Sequence, residues 1–320
     1  MVIYLLRRLL LATITLFIAT LISFSVVYFK GVSNFNDLPL FEAYPFYLLN
    51  TLNGNLGISQ LNHQPIAEQV IQLFPVTLEL AILAAMLALC VGIPLGILAS
   101  LYKNKPIDYA IQSFLLVGIS TPVFWLALLL ITYFSYSLDW FPSSGRYRAI
   151  GEVPTITGFM FIDVFLADIP NREHVLLDMI KHTFIPILAL SIPPLVEITR
   201  LVRVNVIDIS KENYIKAATI RGLSKSILIY RHILHNALPS IIPKLGLQFT
   251  TLLTLTMIIE IIFDWYGFGR WILYSLHHQD YAAISAGILV SSLVVIIIFI
   301  FFEILGILTS PLKRKELYVQ

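Results

Sequence analysis

Charged residues are scarce in this chain. Asp, Glu, Lys and Arg make up 12% of its 320 residues, whereas 58% are hydrophobic. A typical soluble domain carries about 25% charged residues. This composition excludes an ordinary soluble globular protein and predicts that lipid solvates most of the chain. The formal net charge of +2 is uninformative, because in a membrane protein the location of the charges matters more than their sum. We expect no nucleic-acid partner.

Cysteine and the common catalytic motifs are also missing. Cys90 is the single cysteine, which excludes an intrachain disulfide. None of the 15 glycines is followed by Lys, so the chain has no P-loop for ATP. His-Glu-x-x-His and Gly-x-Ser-x-Gly motifs are absent as well. His232 and His235 have a spacing compatible with metal, but solvated or interface histidines are favoured because further ligands are missing. We therefore expect no enzyme activity, no bound cofactor and no metal.

Long apolar runs dominate what is present. Each is close to or longer than the roughly 20 residues that cross about 30 Å of hydrocarbon. They predict a single all-α membrane domain, 1–320, with about six transmembrane helices. Arg7 and Arg8 precede the first run and no small-residue cleavage site follows it, so we expect a retained helix. The predicted spans are 9–29, 77–101, 110–138, 184–201, 245–263 and 284–309.

Lys and Arg are distributed unequally between the loops, which predicts the orientation. Both termini are therefore expected on the cytoplasmic side of the membrane. The outer segments, 30–76, 139–183 and 264–283, hold few basic residues, and the first two are expected to form small ordered caps. The basic residues of these outer segments are Lys30, Arg146, Arg148, Arg172, Lys181 and Arg270. The same segments contain acidic residues, among them Glu152. The cytoplasmic side holds Arg7, Arg8, Lys103, Lys105, Arg200, Arg203, Lys211, Lys216, Arg221, Lys225, Arg231, Lys244, Lys313, Arg314 and Lys315.

The cytoplasmic segment 202–244 is too long for a simple turn. It predicts two short helices, Asn205–Arg221 and Lys225–Asn236, on either side of Gly222. Small residues in the first helix allow close approach to a partner, glycine allows a reversal, and apolar side chains provide anchors. The alternative is an ordinary amphipathic pair of surface helices. The residues proposed for docking are Tyr214, Ala217, Ala218, Gly222, Leu223, Leu238 and Pro239.

This segment, which reads NYIKAATIRGLSKSILIYRHILHNALP over 213–239, resembles the EAA loop of ABC importer permeases. The resemblance is to the dipeptide and oligopeptide branch, and it implies short coupling helices that dock in a cleft of a nucleotide-binding subunit. Lys216 stands where the Glu of the motif would be, which removes any salt bridge from that Glu. The late closing Leu-Pro pair is familiar in the peptide branch.

Other segments carry the same resemblance. They are Arg7-Arg8-Leu-Leu-Leu, Gln64-Pro-Ile-Ala-Glu-Gln, Thr121-Pro-Val-Phe-Trp125, Glu260-Ile-Ile-Phe-Asp-Trp265-Tyr-Gly267-Phe-Gly269-Arg270, Asp280-Tyr281 and Pro311-Leu-Lys. Of these, Trp265, Gly267, Gly269 and Arg270 are expected to form a structural turn on the outer side. The usual Pro-Gly-Asp-Pro after the first span is replaced by Lys30-Gly-Val-Ser-Asn-Phe. In this feature the chain resembles the subgroup of Sap (sensitivity to antimicrobial peptides) transporters.

The resemblance implies a permease subunit of the bacterial inner membrane that moves peptides, expected to be cationic or antimicrobial, by alternating access. Its implied partners are a second similar permease, two cytoplasmic ATPases that bind ATP and Mg²⁺, a periplasmic solute-binding protein and membrane lipid. Three alternatives stay open. They are export of a polyamine such as putrescine by the same class of transporter, a proton-coupled secondary transporter, and a receptor-like protein without flux.

Acidic residues in or near the apolar runs are the second functional signal, since ionisable groups are costly in hydrocarbon. Glu260 and Glu197 are candidates for the translocation path of a cationic substrate, or for a proton site in the alternative. Glu79 and Glu303 are expected to pair or to reach an interface.

Overall fold

The computed structural model describes residues 2–32, 37–147 and 153–309. Every named element in these ranges is a helix. The charged residues Arg148, Glu152, Lys313, Arg314 and Lys315 lie outside the described ranges, as do Ser33–Phe35 and the Pro311-Leu-Lys segment. The elements are α1 (Val2–Phe29), α2 (Leu40–Leu52), α3 (Ile66–Leu101), α4 (Pro106–Ser120), α5 (Val123–Leu130, with a π-helical extension Ile131–Ser137), α6 (Met160–Leu166), α7 (Arg172–Ser210), α8 (Asn213–Ile220), α9 (Lys225–Ile227, with a π-helix Leu228–Leu234 and a last turn His235–Ala237), α10 (Ile242–Ile262), α11 (Phe268–His277) and α12 (Tyr281–Thr309).

Five of these helices are long and apolar enough to cross a membrane: α1, α3, α7, α10 and α12. The helices α4 and α5 together form a pair bent by 99°, which makes a sixth if the pair is one span. Within the described part of the chain, the prediction of an all-α fold with about six spans is confirmed.

The predicted third span is not one straight helix. Helix α4 ends at Ser120, and Thr121 has an extended conformation with φ −94° and ψ 118°. Proline disfavours helical geometry in the residue before it and lacks an N–H for the helix ladder. Pro122 therefore ends α4 and starts α5 in a new direction.

Helix α7 extends well beyond the predicted fourth span. It contains 39 residues and accommodates Pro186, Pro193 and Pro194 without a break. The prediction of a separate helix Asn205–Arg221 was wrong, because α7 continues to Ser210 and α8 begins only at Asn213. Side-chain hydrogen bonds from Asn205 to the carbonyl of Leu201 and from Ser210 to that of Val206 lie along this continuation. The charged residues in this last part of α7 therefore do not end the helix.

The helices group into two compact units. The first comprises Met1–Glu79, Ser144–Ile180 and Phe263–Ile297. Two hydrogen bonds lie in its interior: the Trp271 indole donates to Gln69 Oε1 at 2.9 Å, and the amide of Phe268 donates to Thr77 Oγ1 at 2.8 Å. These bonds fix the start of α11 against α3.

The second unit comprises Leu80–Ser143, Lys181–Ile262 and Ile298–Gln320. Its helices α3 and α7 approach closely at Gly92 and Gly96, a small-x-x-x-small pattern common between membrane helices. A Cβ atom on Gly96 would lie 2.6 Å from Cβ of Val202 and 2.7 Å from the carbonyl oxygen of Thr199. Only glycine allows this separation of the two helices.

Candidate coupling site and buried acids

Helix α8 ends in a turn that determines the shape of the loop between α7 and α10. The amide of Gly222 donates to the carbonyl of Thr219 at 3.0 Å, and that of Leu223 donates to Ala218 at 3.4 Å. Gly222 has φ +80°, in the left-handed region that favours glycine. These two bonds and this conformation form a Schellman cap, which satisfies the last carbonyls of the helix. The chain therefore reverses sharply at Gly222, as the sequence predicts.

Helix α9 begins directly after this reversal. Ser224 is its N-cap, and its hydroxyl oxygen accepts a hydrogen bond from the amide of Ile227 at 3.4 Å. A π-helix over Leu228–Leu234 follows and leads into the turn His235–Ala237. Helical structure thus covers the predicted segment Lys225–Asn236 almost residue for residue.

The inner face of α8 packs against α9. Ile215 is buried in a cluster that includes Ile233, Leu234 and Ala237. Leu238 packs against the same cluster and, like Pro239, is half-buried. Leu238 therefore supports the loop from behind, and both residues are less exposed than Tyr214 or Ile220.

Tyr214 connects the two helices at their edge. The Asn236 amide donates to the Tyr214 hydroxyl at 3.1 Å. Partial burial, reinforced by the nearby Glu212 carboxylate, raises the pKa of Tyr214 despite the opposing effect of the Asn236 bond. The phenol is therefore neutral at physiological pH and remains a polar but uncharged part of the surface.

The outer face of the loop carries large apolar side chains in contact with solvent. Ile220 is 86% exposed and Tyr230 is 73% exposed, although both lie in a segment rich in Lys, Arg and His. Ala217 is exposed and Ala218 half-buried beside them. We call the exposed apolar set the coupling surface, and it consists of Tyr214, Ile220, Leu223, Ile227 and Tyr230.

Sequence reasoning identified only Tyr214 and Leu223 in this set. Ile220, Ile227 and Tyr230 were missed, although a signal existed: each is a large apolar residue among charged ones, outside any membrane span. Ile215 and Ile220 are equally apolar, and only the packing of α8 decides which of them is buried.

A buried ion pair supports the loop from the membrane side. The Arg203 guanidinium makes a two-pronged contact with Asp108, with Nε at 2.8 Å from Oδ1 and Nη2 at 2.7 Å from Oδ2. The amide of Asn104 also donates to Asp108, at 2.9 Å. This pair joins the first turn of α4 to the last turns of α7, immediately before the loop. The sequence analysis did not single out Asp108.

The intramembrane acids occupy different environments. Glu79 is 5% exposed and accepts hydrogen bonds from Arg146 Nη2 at 2.9 Å and from the amide of Phe161 at 2.8 Å. It is a structural acid, as expected. Glu197 on α7 lies 3.9 Å from Arg200, with its side chain 30% exposed. Glu260 on α10 is fully buried.

The predicted outer turn is placed differently from the expectation. Trp265 is buried and Gly267 caps α11, but Gly269 and Arg270 lie inside the first turn of that helix. Arg270 pairs with Asp264, whose φ is +51°. Of the four residues expected in the turn, only Trp265 and Gly267 therefore lie before Phe268. Gly269 and Arg270 are helical residues of α11.

Metal binding finds no support in the described ranges, which contain no cluster of three His, Cys, Asp or Glu side chains suited to an ion. His235 is exposed and His232 half-buried on α9.

Residues 92–314 of the chain match the family described as "Binding-protein-dependent transport system inner membrane component". The chain belongs to this permease family. It is 46% identical over 318 residues, 99% of each chain, to the Salmonella typhimurium protein named "Peptide transport system permease protein SapB". It has the same identity and coverage with the Escherichia coli K12 protein named "Putrescine export system permease protein SapB".

The permease also shares its fold with a solved transporter. The inward-facing MetNI methionine ABC transporter matches with a TM-score of 0.50 at 15% identity, over 72% of this chain and 89% of that one. The resemblance to peptide permeases and to the Sap subgroup is therefore confirmed, as is the ABC permease fold. The chain is a multi-pass inner-membrane permease component of an ABC transporter and is not itself catalytic. The matched range includes the whole coupling surface.

Proposed function

We propose that this permease moves peptides, including cationic ones, across the bacterial inner membrane, driven by ATPase subunits that dock on its coupling surface. The coupling surface carries the proposal. Exposed side chains such as Ile220 and Tyr230 are costly in water, and anchors of this kind provide much of the energy of a protein interface. A rigid loop behind them, fixed by the Gly222 cap and the buried Ile215, favours docking without rearrangement.

Alternating access follows from this arrangement. Two cytoplasmic ATPases would bind ATP and Mg²⁺, and their closure would favour one conformation of a pair made by this permease and a second, similar one. Such a ligand shifts the equilibrium only through its different affinity for the two states. A periplasmic binding protein would deliver substrate on the outer side, and both termini of the chain would lie in the cytoplasm.

The substrate class is proposed from the relatives and from the acids. Relatives that are 46% identical are named for peptide transport and for putrescine export. Both substrates can carry positive charge, and buried Glu260 with half-buried Glu197 would suit the path of either. We favour peptide, with polyamine export as the second candidate because of the Escherichia coli relative. Membership of an ABC permease family argues against a proton-coupled carrier.

Ile220→Asp is the sharpest test of docking. The side chain is 86% exposed, so the permease should fold normally, while a carboxylate replaces the most exposed apolar anchor. In reconstituted vesicles that contain the whole transporter, we expect loss of ATPase association and of ATP-dependent uptake of a labelled cationic peptide. Gln60→Glu, an exposed substitution on the outer side, is the matched control and should retain both.

The outcomes distinguish the alternatives. Full transport by Ile220→Asp with ATPase still bound would overturn the coupling role. Transport of putrescine but not of peptide would select the second candidate. Flux that follows a proton gradient without ATP would contradict both.

A further inference from the structure

Helix α2 lies in a segment that hydropathy assigns to the outer aqueous side, but its surface is apolar. Its sequence, LFEAYPFYLLNTL, contains one charged residue, Glu42. Phe41 is 76% exposed and Leu52 74% exposed, and Leu40, Phe46 and Leu49 are exposed too. A water-facing cap would not normally present so many large apolar side chains together.

The contacts of α2 place it beside the second half of α1, between Phe17 and Tyr28. The Tyr44 hydroxyl lies 2.8 Å from Thr20 Oγ1, and the Tyr44 ring contacts those of Phe17 and Phe24. Tyr47 bonds to Ser23 Oγ at 2.7 Å.

These contacts define a depth. At 1.5 Å per residue, Thr20 lies about 13 Å below the Phe29 end of α1. Half of a hydrocarbon core is about 15 Å. The Tyr44 hydroxyl therefore reaches close to the middle of the bilayer that α1 crosses.

The polar groups of α2 are compatible with this depth. The hydroxyls of Tyr44 and Tyr47 are hydrogen-bonded, as immersion in hydrocarbon requires. Leu38, just before the helix, accepts a bond from the Tyr28 hydroxyl near the end of α1. Glu42 lies in the first turn next to this end and can extend towards the headgroups.

The shape of the exposed face indicates lipid as the occupant. At about 100° per residue, Phe41, Pro45, Phe46, Leu49 and Leu52 cover an arc of about 140° roughly opposite the buried Ala43 and Tyr47. The one charged residue, Glu42, also lies within this arc, in the first turn of α2. A surface helix of a soluble protein carries charged and polar residues on the face opposite its packed stripe. A broad, nearly uncharged arc at this depth fits fluid acyl chains.

We propose that α2 is embedded in the lipid leaflet at the Phe29 end of α1, with its exposed arc in contact with acyl chains. With the termini in the cytoplasm this is the outer leaflet, and only that name depends on the proposed orientation. The outer segment 30–76 is then partly a membrane element. The proposal concerns lipid contact and is independent of the transported substrate.

Spin labels on single cysteines test the proposal in the complete transporter in lipid nanodiscs. The background is Cys90→Ser, and labels are placed by Phe41→Cys and Leu49→Cys. Leu293→Cys, on an exposed apolar position of α12, provides the lipid control, and Gln60→Cys provides the aqueous control. We expect collision with oxygen relative to a soluble nickel chelate to be several-fold higher at both α2 positions than at Gln60→Cys, and similar to Leu293→Cys.

Two results would overturn the proposal. Chelate collision equal to that of Gln60→Cys would place α2 in water. Immobile labels with little access to either reagent would show that a protein, such as the second permease, covers the arc. Bimane labels at the same positions should in addition be quenched by lipids brominated on their acyl chains, and the absence of quenching would equally contradict lipid contact.

Discussion

Asp108→Asn should destabilise this permease strongly although it alters one atom of a side chain. Asp108 is 2% exposed and binds Arg203, which is 20% exposed. The substitution leaves a mostly buried guanidinium without its counter-charge. Removal of one partner of a buried pair costs about 3–5 kcal/mol. Because water reaches part of Arg203, we expect a value near about 3 kcal/mol, roughly a hundredfold in the folding equilibrium.

Equilibrium unfolding of the purified permease in mixed micelles of mild detergent and SDS measures this change. The chain contains its own control, the exposed pair of Lys211 and Asp208, with side chains 63% and 62% exposed. Exposed pairs contribute about 0–1 kcal/mol. Lys211→Ala should therefore change stability by less than about 1 kcal/mol.

A double variant separates loss of the pair from burial of a lone charge. Asp108→Asn with Arg203→Met removes both charges, and replacement of a buried pair by apolar groups is often nearly neutral. We expect the double variant to be more stable than Asp108→Asn alone. If Asp108→Asn lowers the free energy of unfolding no more than Lys211→Ala does, the expected cost of a lone buried charge is refuted. It is also refuted if the double variant loses as much free energy of unfolding as the two single variants together.

Two further predictions concern packing and pH. Gly96→Ala should cost about 1–3 kcal/mol, because the new methyl group would overlap Val202 and separate α3 from α7. Met86→Ala, on an exposed position of α3, should cost much less in the same mixed-micelle unfolding assay, and equal losses would contradict the close approach. For Asp163 on α6, burial alone would raise the pKa, but hydrogen bonds from the Thr157 hydroxyl and the amides of residues 156–158 outweigh it and lower the pKa. Stability from this carboxylate is therefore present above the unfolded pKa and is lost as pH falls through the lower folded pKa. Limited proteolysis of the outer segment from pH 7 to pH 3 should show this loss in the native protein but not in Asp163→Asn, and identical acid profiles would exclude the role.

Hydropathy predicted the helical membrane fold because the chain must satisfy its backbone internally wherever lipid surrounds it. The break at Thr121 was accessible to the same reasoning, since the residue before proline avoids helical geometry. The 99° angle was not, because it depends on how α4 and α5 pack. Likewise, α2 is too short to cross the membrane, so hydropathy predicted that it lies in an outer loop.

The candidate site was predictable where the signal is local and not where it is tertiary. The reversal at Gly222 can be predicted from the glycine and the residues next to it in the sequence. Asp108 and Arg203 are separated by 95 residues, and the sequence around either residue does not indicate that the two side chains form an ion pair. The exposure of Ile220 is a consequence of the burial of Ile215, which requires the position of α9.

Helix α7 is one element through which the proposed docking at the coupling surface can reach the membrane. It is one continuous helix from Arg172 to Ser210, about 58 Å long at 1.5 Å per residue. Only Lys211 and Glu212 separate it from α8, and Arg203 ties it to α4. Glu197 lies thirteen residues before Ser210, about 20 Å along the same axis. Because packed helices shift as units more readily than they bend, a displacement of α8 by a docked partner should move Glu197 with α7, and the proposed substrate path would then change with the state of the coupling loop.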